Sequence, residues 1–328
     1  MTPLEFRLLN DFQRDFPLVS EPYGVIARRV GATRDVVIET LAKLKAFGAV
    51  SRIGAVFRPN AIGASTLAAM AVPAERLNTV ARYVSGFREI NHNYEREHRL
   101  NLWFVATAPD LGRLKQVLAA IAQTTGVGVL SLPLVEEFHI DLGFDLNGQD
   151  VKRVSGSPPP RVAIGPTGQR LLAALQDGLE LVPRPYAVLA ARVSLTERQV
   201  LEMLADWQDQ GLVRRFGVVV RHHELGFGAN AMCVWDVPDA DVSAIGRELA
   251  RESAVTLCYR RVRVVPEWRF NLYCMLHGRE RPEVLGQLAG IEARHGLGRY
   301  AHEVLFSVRR FKQTGARYAT LLEAPRYG

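Results

Sequence analysis

The sequence predicts an α+β fold built by tandem duplication. Each half reads as a winged helix-turn-helix followed by a ferredoxin-like βαββαβ domain, and the two halves are expected to form an intrachain pseudo-dimer. Three observations carry this reading. Leu8-Leu9, Pro22-Tyr23, Arg52-Ile53-Gly54 and Gly63 return as Leu171-Leu172, Pro185-Tyr186, Arg215-Phe216-Gly217 and Gly226, all at an offset of 163. Apolar residues recur at helical spacing early in each copy and at strand spacing later. Between the copies lies SGSPPPRVAIGP, whose Pro, Gly and Ser mark a linker.

The elements follow in order. Ile26, Val30, Val36, Val37, Leu41 and Leu44 form a helical pattern that Gly31 interrupts. Thr33 can cap the second helix and Gly48 can stop it. Residues 49–56 then read as the β wing, and the second copy repeats the plan with Thr196 as cap and Gly211 as stop. Beyond the wing, the first copy predicts a strand over 65–72, a helix over 74–85 and strands over 87–94 and 100–106. A helix over 111–125 and an extended segment over 127–142 complete it. The boundaries expected are 1–62 and 63–150 for the first copy, 151–166 for the linker, 167–225 and 226–318 for the second copy, and 319–328 for a tail. Downstream, Asn93-Tyr94 lies opposite Cys258-Tyr259 and Asn101-Leu102 opposite Asn271-Leu272. The offset thus grows to 165 and then 170, so the second copy carries an insertion around Pro266.

Composition bounds the function. With 48% hydrophobic and 23% charged residues the chain is that of a folded soluble protein. No apolar run approaches the roughly 20 residues that span a bilayer, and the first residues lack the apolar core of a signal peptide. Cys233, Cys258 and Cys274 have no metal-ligand spacing and read as small buried hydrophobes in a reducing compartment. A cytoplasmic protein with no membrane partner is expected. The net charge of +7 falls entirely in residues 151–328, where 23 of 25 basic residues are arginine. Arginine suits bidentate binding of carboxylate or phosphate, so an anionic partner follows.

A winged helix followed by a ferredoxin-like domain resembles the Lrp/AsnC transcription regulators. In such a regulator the helix after each capping threonine would enter the major groove. The second copy places Glu197, Glu202, Asp206 and Asp209 on that helix, and carboxylates repel phosphate. These helices therefore read as scaffold, and DNA is not an expected partner.

A more specific resemblance lies in the later half of each copy. RIGAVFRPNAIG, HNYEREHRLNLWF and EEFHIDLGFDL resemble one subunit type of the siroheme decarboxylases. RRFGVVVRHHELGFGANAMCVW, CYRRVRVVPEWRFNLYCMLHG and LFSVRRFKQTGARY resemble the other, so the chain is similar to the fused form of that family. The resemblance implies removal of carbon dioxide from two acetate side chains of siroheme. The didecarboxysiroheme formed leads to d-type heme or, by an alternative route, to heme. It also implies that the iron arrives with the substrate and that no separate cofactor is needed. Pairing as a homodimer or with related decarboxylase subunits is open. An Lrp/AsnC-like DNA-binding regulator and a non-catalytic tetrapyrrole carrier are the alternatives.

The chemistry selects site residues. Loss of carbon dioxide leaves charge on a methylene carbon, which must be stabilised and then protonated. Histidine is a natural donor near neutral pH, and the resemblance makes His92 and His98 the catalytic candidates. Alternate residues of a strand share a face, so His92 and Tyr94 point together, with Arg96 if the strand continues. A hairpin is expected to return His98 to the same patch. His139 and His222 are further substrate-binding candidates; of the adjacent pair His222 and His223, at most one can face the substrate. In the second copy Leu257 replaces His92, so the two halves are not equivalent. There, Tyr259, Arg260, Arg261 and Arg263, with Trp268 as an aromatic lid, are expected to clamp carboxylates, and Arg309 and Arg310 form a second basic set. No metal ligands are expected from the protein.

Overall fold

Capping side chains and left-handed glycines set the helix ends. The computed structural model describes residues 1–58, 61–140, 164–220 and 228–315. The first repeat contains α1 (Pro3–Asp11), α2 (Pro22–Val30), α3 (Arg34–Phe47), β1 (Val50–Phe57), β2 (Ala64–Met70), α4 (Leu77–Gly86), β3 (Ile90–Arg96), β4 (Leu102–Ala108), α5 (Leu111–Thr125) and β5 (Leu130–Ile140). The second contains α6 (Pro166–Leu175), α7 (Pro185–Arg192), α8 (Glu197–Asp209), β6 (Val213–Val220), β7 (Ala229–Trp235), α9 (Val242–Leu249), β8 (Val255–Arg261), β9 (Leu272–Gly278), α10 (Arg281–His295) and β10 (His302–Gln313). Thr33 Oγ1 accepts from the Val36 amide, and Gly31 and Gly48 are left-handed at the helix ends. Thr196 does the same for α8, within a capping box closed by Gln199. The tail and most of the expected linker lie outside the described residues.

The chain forms two compact units, one holding both helix-turn-helix segments and the other both βαββαβ segments. In the helical unit each expected wing is a single strand, and its partner comes from the other repeat. β1 pairs antiparallel with β6, Gly54 opposite Gly217. A side chain at Gly217 would sit 2.4 Å from the backbone oxygens of Phe12 and Gln13, so the close approach requires glycine. The exchange is reciprocal. Tyr23 donates its hydroxyl to the Glu180 carbonyl at 3.1 Å, and Tyr186 donates to the Pro17 carbonyl at 3.0 Å. Glu197, at the start of α8, accepts from Ser20 and Arg184. That carboxylate ties one repeat to the other, consistent with a scaffolding helix.

In the other unit, each βαββαβ segment makes a four-stranded antiparallel sheet, and the two sheets close edge to edge. The order around the barrel is β10-β3-β4-β2-β5-β8-β9-β7. β5 leaves β2 to pair with β8, and β10 leaves β7 to pair with β3. Two apolar clusters lie under the outer helices, one per repeat. A third fills the interior, with Leu67, Trp103, Leu132, Met232, Tyr259, Trp268, Tyr273 and Met275 among its members. The three cysteines are buried and free, all in the outer cluster of the second repeat.

Backbone bonds repeat across the halves. The Asn101 side chain accepts from the Val72 amide and donates to the Val72 carbonyl; Asn271 does the same with Val237. Leaving such buried groups unpaired costs about 1–3 kcal/mol each. Asn271→Ala is therefore expected to destabilise more than Asn101→Ala, because Asn271 is 1% exposed whereas Asn101 is half-buried. Urea denaturation of the two variants checks this, and equal midpoints would contradict it.

Candidate active site

Strand direction fixes which residues meet. All neighbours in the closed barrel are antiparallel, so β2, β3, β7 and β8 run one way and β4, β5, β9 and β10 the other. In the ring of eight strands, β3 and β8 stand diametrically opposite and run parallel. Their inner faces present two matching columns, His92, Tyr94 and Arg96 on β3, and Leu257, Tyr259 and Arg261 on β8.

The first column is ordered by ring contacts. The His92 and Tyr94 rings stack at 6.4 Å, 13° from parallel, and the Arg96 guanidinium lies 5.8 Å from the Tyr94 ring centre. Arg96 is only 7% exposed and donates to the Leu305 carbonyl of the other repeat at 2.9 Å. Burial pulls its pKa below the usual arginine value, opposed by Tyr259 and Tyr94. The second column mirrors it. Arg261 lies 4.5 Å from the Tyr259 ring centre and donates to the Leu132 carbonyl at 2.8 Å. Neither guanidinium has a carboxylate partner among the described residues. An uncompensated buried charge is costly, so Arg96, and to a lesser degree the half-buried Arg261, are suited to an anion supplied from outside.

The expected grouping of the two histidines needs correction. Four residues of strand, roughly 13 Å at 3.3 Å each, separate His92 from Arg96, and His98 lies beyond. His92 stands at the end of the barrel where β3 begins; His98 stands at the other, in the turn after β3. β3 and β4 form a hairpin closed by the bond from the Arg96 amide to the Asn101 carbonyl, and the bond from the His98 amide to the Arg96 carbonyl keeps His98 in its tight turn, away from His92. His98 Nδ1 accepts from the Leu100 amide at 2.9 Å, leaving the proton of the neutral ring on Nε2. Its ring meets the Trp268 ring edge-on at 5.5 Å. Burial holds its pKa below the ordinary imidazole value, against the pull of Glu303.

The remaining candidates divide between the two faces. Trp268, only 2% exposed, donates to the Tyr273 hydroxyl at 2.7 Å and packs on Trp103. It is thus a core wedge carried in by the second repeat's insertion rather than an open lid. Arg260 and Arg263 both reach Asp239, and Arg263 also holds Asp236, so these two are paired within the chain. Arg309 pairs with Glu95 at 2.8 Å beside the Phe311 ring. Arg310 is in register with Tyr94 and Gln313 with His92, and Arg310 donates to Gln313 at 3.1 Å. His139, 3% exposed on β5, is in register with Cys258 near the His92 end. His222 lies outside the described residues. Sequence reasoning missed His277, near the end of β9 at that same barrel end; its signal was the alternation Tyr273, Met275, His277 in LYCMLHG.

No described helix is long and apolar enough to cross a membrane, and no group of three His, Cys, Asp or Glu among the described residues is placed to hold a metal ion.

Residues 61–139 and 224–312 match the AsnC-like ligand binding domain, and residues 5–50 and 168–214 match the siroheme decarboxylase NirDL-like HTH domain. The chain is 44% identical over 319 residues to the siroheme decarboxylase NirDL subunit of Paracoccus denitrificans, covering 97% of this chain and 98% of that one. It is 51% identical over 146 residues to the siroheme decarboxylase NirD subunit of Pseudomonas aeruginosa, covering 44% of this chain and 97% of that subunit. A crystal structure of the siroheme decarboxylase NirDL in co-complex with an iron-uroporphyrin III analogue superposes with a TM-score of 0.70 at 28% identity, over 96% of this chain and 93% of that one.

The depressed pKa of His98 has a consequence for stability. As pH falls below about 6.5, the unfolded chain takes up a proton that folded His98 resists, so stability is present above that pH and declines below it. His98→Gln is expected to flatten this acid limb, as measured by melting temperature against pH. An unchanged limb would show that burial of His98 does not set it.

Proposed function

This chain belongs to the siroheme decarboxylase NirDL family, and from that premise we propose that it removes carbon dioxide from two acetate side chains of siroheme at the barrel unit. The observation that supports the reading is the pair of tyrosine-backed guanidiniums of buried Arg96 and half-buried Arg261, which have no carboxylate partners among the described residues. A flat macrocycle with carboxylates around its rim supplies the missing anions, and Tyr94 and Tyr259 supply aromatic faces. The didecarboxylated product would serve the d-type heme route.

The chemistry asks three things of the chain. Arginine must hold rim carboxylates so that the reacting acetate is oriented. The carbon–carbon bond to the carboxylate then breaks, leaving its electron pair on the methylene carbon, where the adjoining macrocycle delocalises it. A donor must finally deliver a proton to that carbon, giving a methyl group. His92 is assigned that role, because it stands on the interior column, half-buried, stacked on Tyr94 and two alternations from Arg96. His98 is assigned a supporting role at the other end, where its Nε2–H can donate to a carboxylate. No cofactor beyond the substrate's own iron is invoked.

Anaerobic incubation with siroheme, followed by mass spectrometry of the tetrapyrrole, tests the reading. Loss of two carbon dioxide units is expected; siroheme recovered unchanged from a folded protein would sink it. His92→Ala is expected to lower turnover at least about tenfold while keeping siroheme binding, in line with the usual worth of general acid–base catalysis. Arg96→Met separates binding from stability. Removing a charge-assisted hydrogen bond worth ~1.5–3 kcal/mol should weaken siroheme binding roughly tenfold or more. Replacing a buried, uncompensated charge with an apolar side chain should leave the melting temperature equal or higher. A variant that binds siroheme as tightly as the parent would remove Arg96 from the site.

A further inference from the structure

The second repeat departs from the first at the barrel end where His92 stands. Asn230 near the start of β7 is in register with His277 near the end of β9. Met232 and Val234, two and four residues on from Asn230, belong to the interior cluster, as do Met275 and Tyr273 before His277. Both polar side chains therefore face inward. The Asn230 amide nitrogen lies 3.0 Å from His277 Nε2, and Thr256 Oγ1 lies 3.0 Å from His277 Nδ1. Thr256 reaches inward because the β8 ladder shifts register between Val255 and Leu257. The first repeat has Ser65 and Thr107, paired with each other, in the matching places, and these cannot build an amide–imidazole pair.

One atom of this arrangement is unsatisfied. The Asn230 Oδ1 is buried and has no hydrogen-bond partner among the described residues. An amide can rotate to exchange its two ends, and imidazole can carry its proton on either nitrogen. With the proton on Nε2, His277 donates to the amide oxygen, Thr256 turns its single hydroxyl proton from the Met275 carbonyl to Nδ1, and the Asn230 NH₂ is the end left over. Either orientation leaves one polar end without a partner, at a cost of about 1–3 kcal/mol. Only the second turns a donor toward a carboxylate.

We propose that Asn230, oriented by His277 and Thr256, is a further carboxylate-recognising group of the barrel, binding a rim carboxylate of the substrate on the side of the second repeat. The site is neutral, unlike Arg96 and Arg261, so it holds an anion by hydrogen bonding without adding a buried charge. It stands at the barrel end of His92, whereas Leu257 leaves the second column without a polar group there. The two repeats thus contribute different chemistry to one rim, His92 from the first and the Asn230–His277 pair from the second. This inference rests on the siroheme reading above.

The test is anaerobic titration of siroheme into parent, Asn230→Ala and Asn230→Asp proteins, followed by its absorbance, with melting temperatures measured alongside. Asn230→Ala is expected to raise the Kd on the order of tenfold, the worth of a buried hydrogen bond to a charged group. Asn230→Asp keeps an acceptor for His277 and should melt no lower than Asn230→Ala, yet bind siroheme the most weakly, because it sets carboxylate against carboxylate. That order, with stability and affinity moving apart, is not produced by a merely structural asparagine. Parent-like affinity in Asn230→Asp, or losses of affinity that only follow losses of melting temperature, would overturn the proposal. A parent protein that binds no siroheme would instead overturn the reading of the barrel, and this inference with it.

Discussion

An open sheet edge is the constraint on which the barrel unit depends. A four-stranded ferredoxin-like sheet exposes unpaired backbone groups along both outer strands, which invites association with another chain. Here β5 and β10 each serve two sheets, so every edge of one repeat is closed by the other. Closure creates an interior that neither repeat could enclose alone. It also sends α4, α5, α9 and α10, two from each repeat, to the outside, where they cover the outer sheet faces. The helical unit follows the same logic on a smaller scale, since β1 and β6 are each a lone strand until they meet.

Closure explains which features stayed matched between the repeats. The bonds that join the halves come in reciprocal pairs, Arg96 to Leu305 with Arg261 to Leu132, and Tyr23 to Glu180 with Tyr186 to Pro17. Each holds a backbone carbonyl at a junction between the repeats. At the barrel ends the backbone needs no such partner, and there the repeats differ. His92 faces Leu257, Thr107 corresponds to His277, and the second repeat's insertion carries Trp268 against His98. A symmetric frame with asymmetric ends is what a single substrate with inequivalent side chains requires of a duplicated chain.

Arg96 and Arg261 join frame and chemistry. Each holds a carbonyl of the partner repeat through one nitrogen while lying near a tyrosine ring. The same contact that closes the barrel therefore positions a guanidinium for an anion. Binding would complete an electrostatic arrangement that the protein leaves half-made, which is how a rigid β scaffold can select a polyanionic ligand without a large rearrangement.

The sequence by itself determined the duplication, the order of elements and the caps, because these rest on local periodicity and on residues whose conformational preferences act within a few positions. Thr33, Thr196, Gly31 and Gly48 behave as their chemistry dictates. The alternation His92, Tyr94, Arg96 was legible too, since a strand's pleat is local. Only the tertiary structure decided that the sheets close into a barrel, for strand pairing between distant segments leaves no trace in local pattern. It separated His98 from His92, because His98 sits in the turn of the β3–β4 hairpin, at the opposite end of the barrel. It drew Arg260 and Arg263 away to Asp236 and Asp239, more than twenty positions before them in the chain, while leaving Arg261 inside. It also brought Asn230, Thr256 and His277 together from three strands, a meeting that depends on register and on one shift in the β8 ladder.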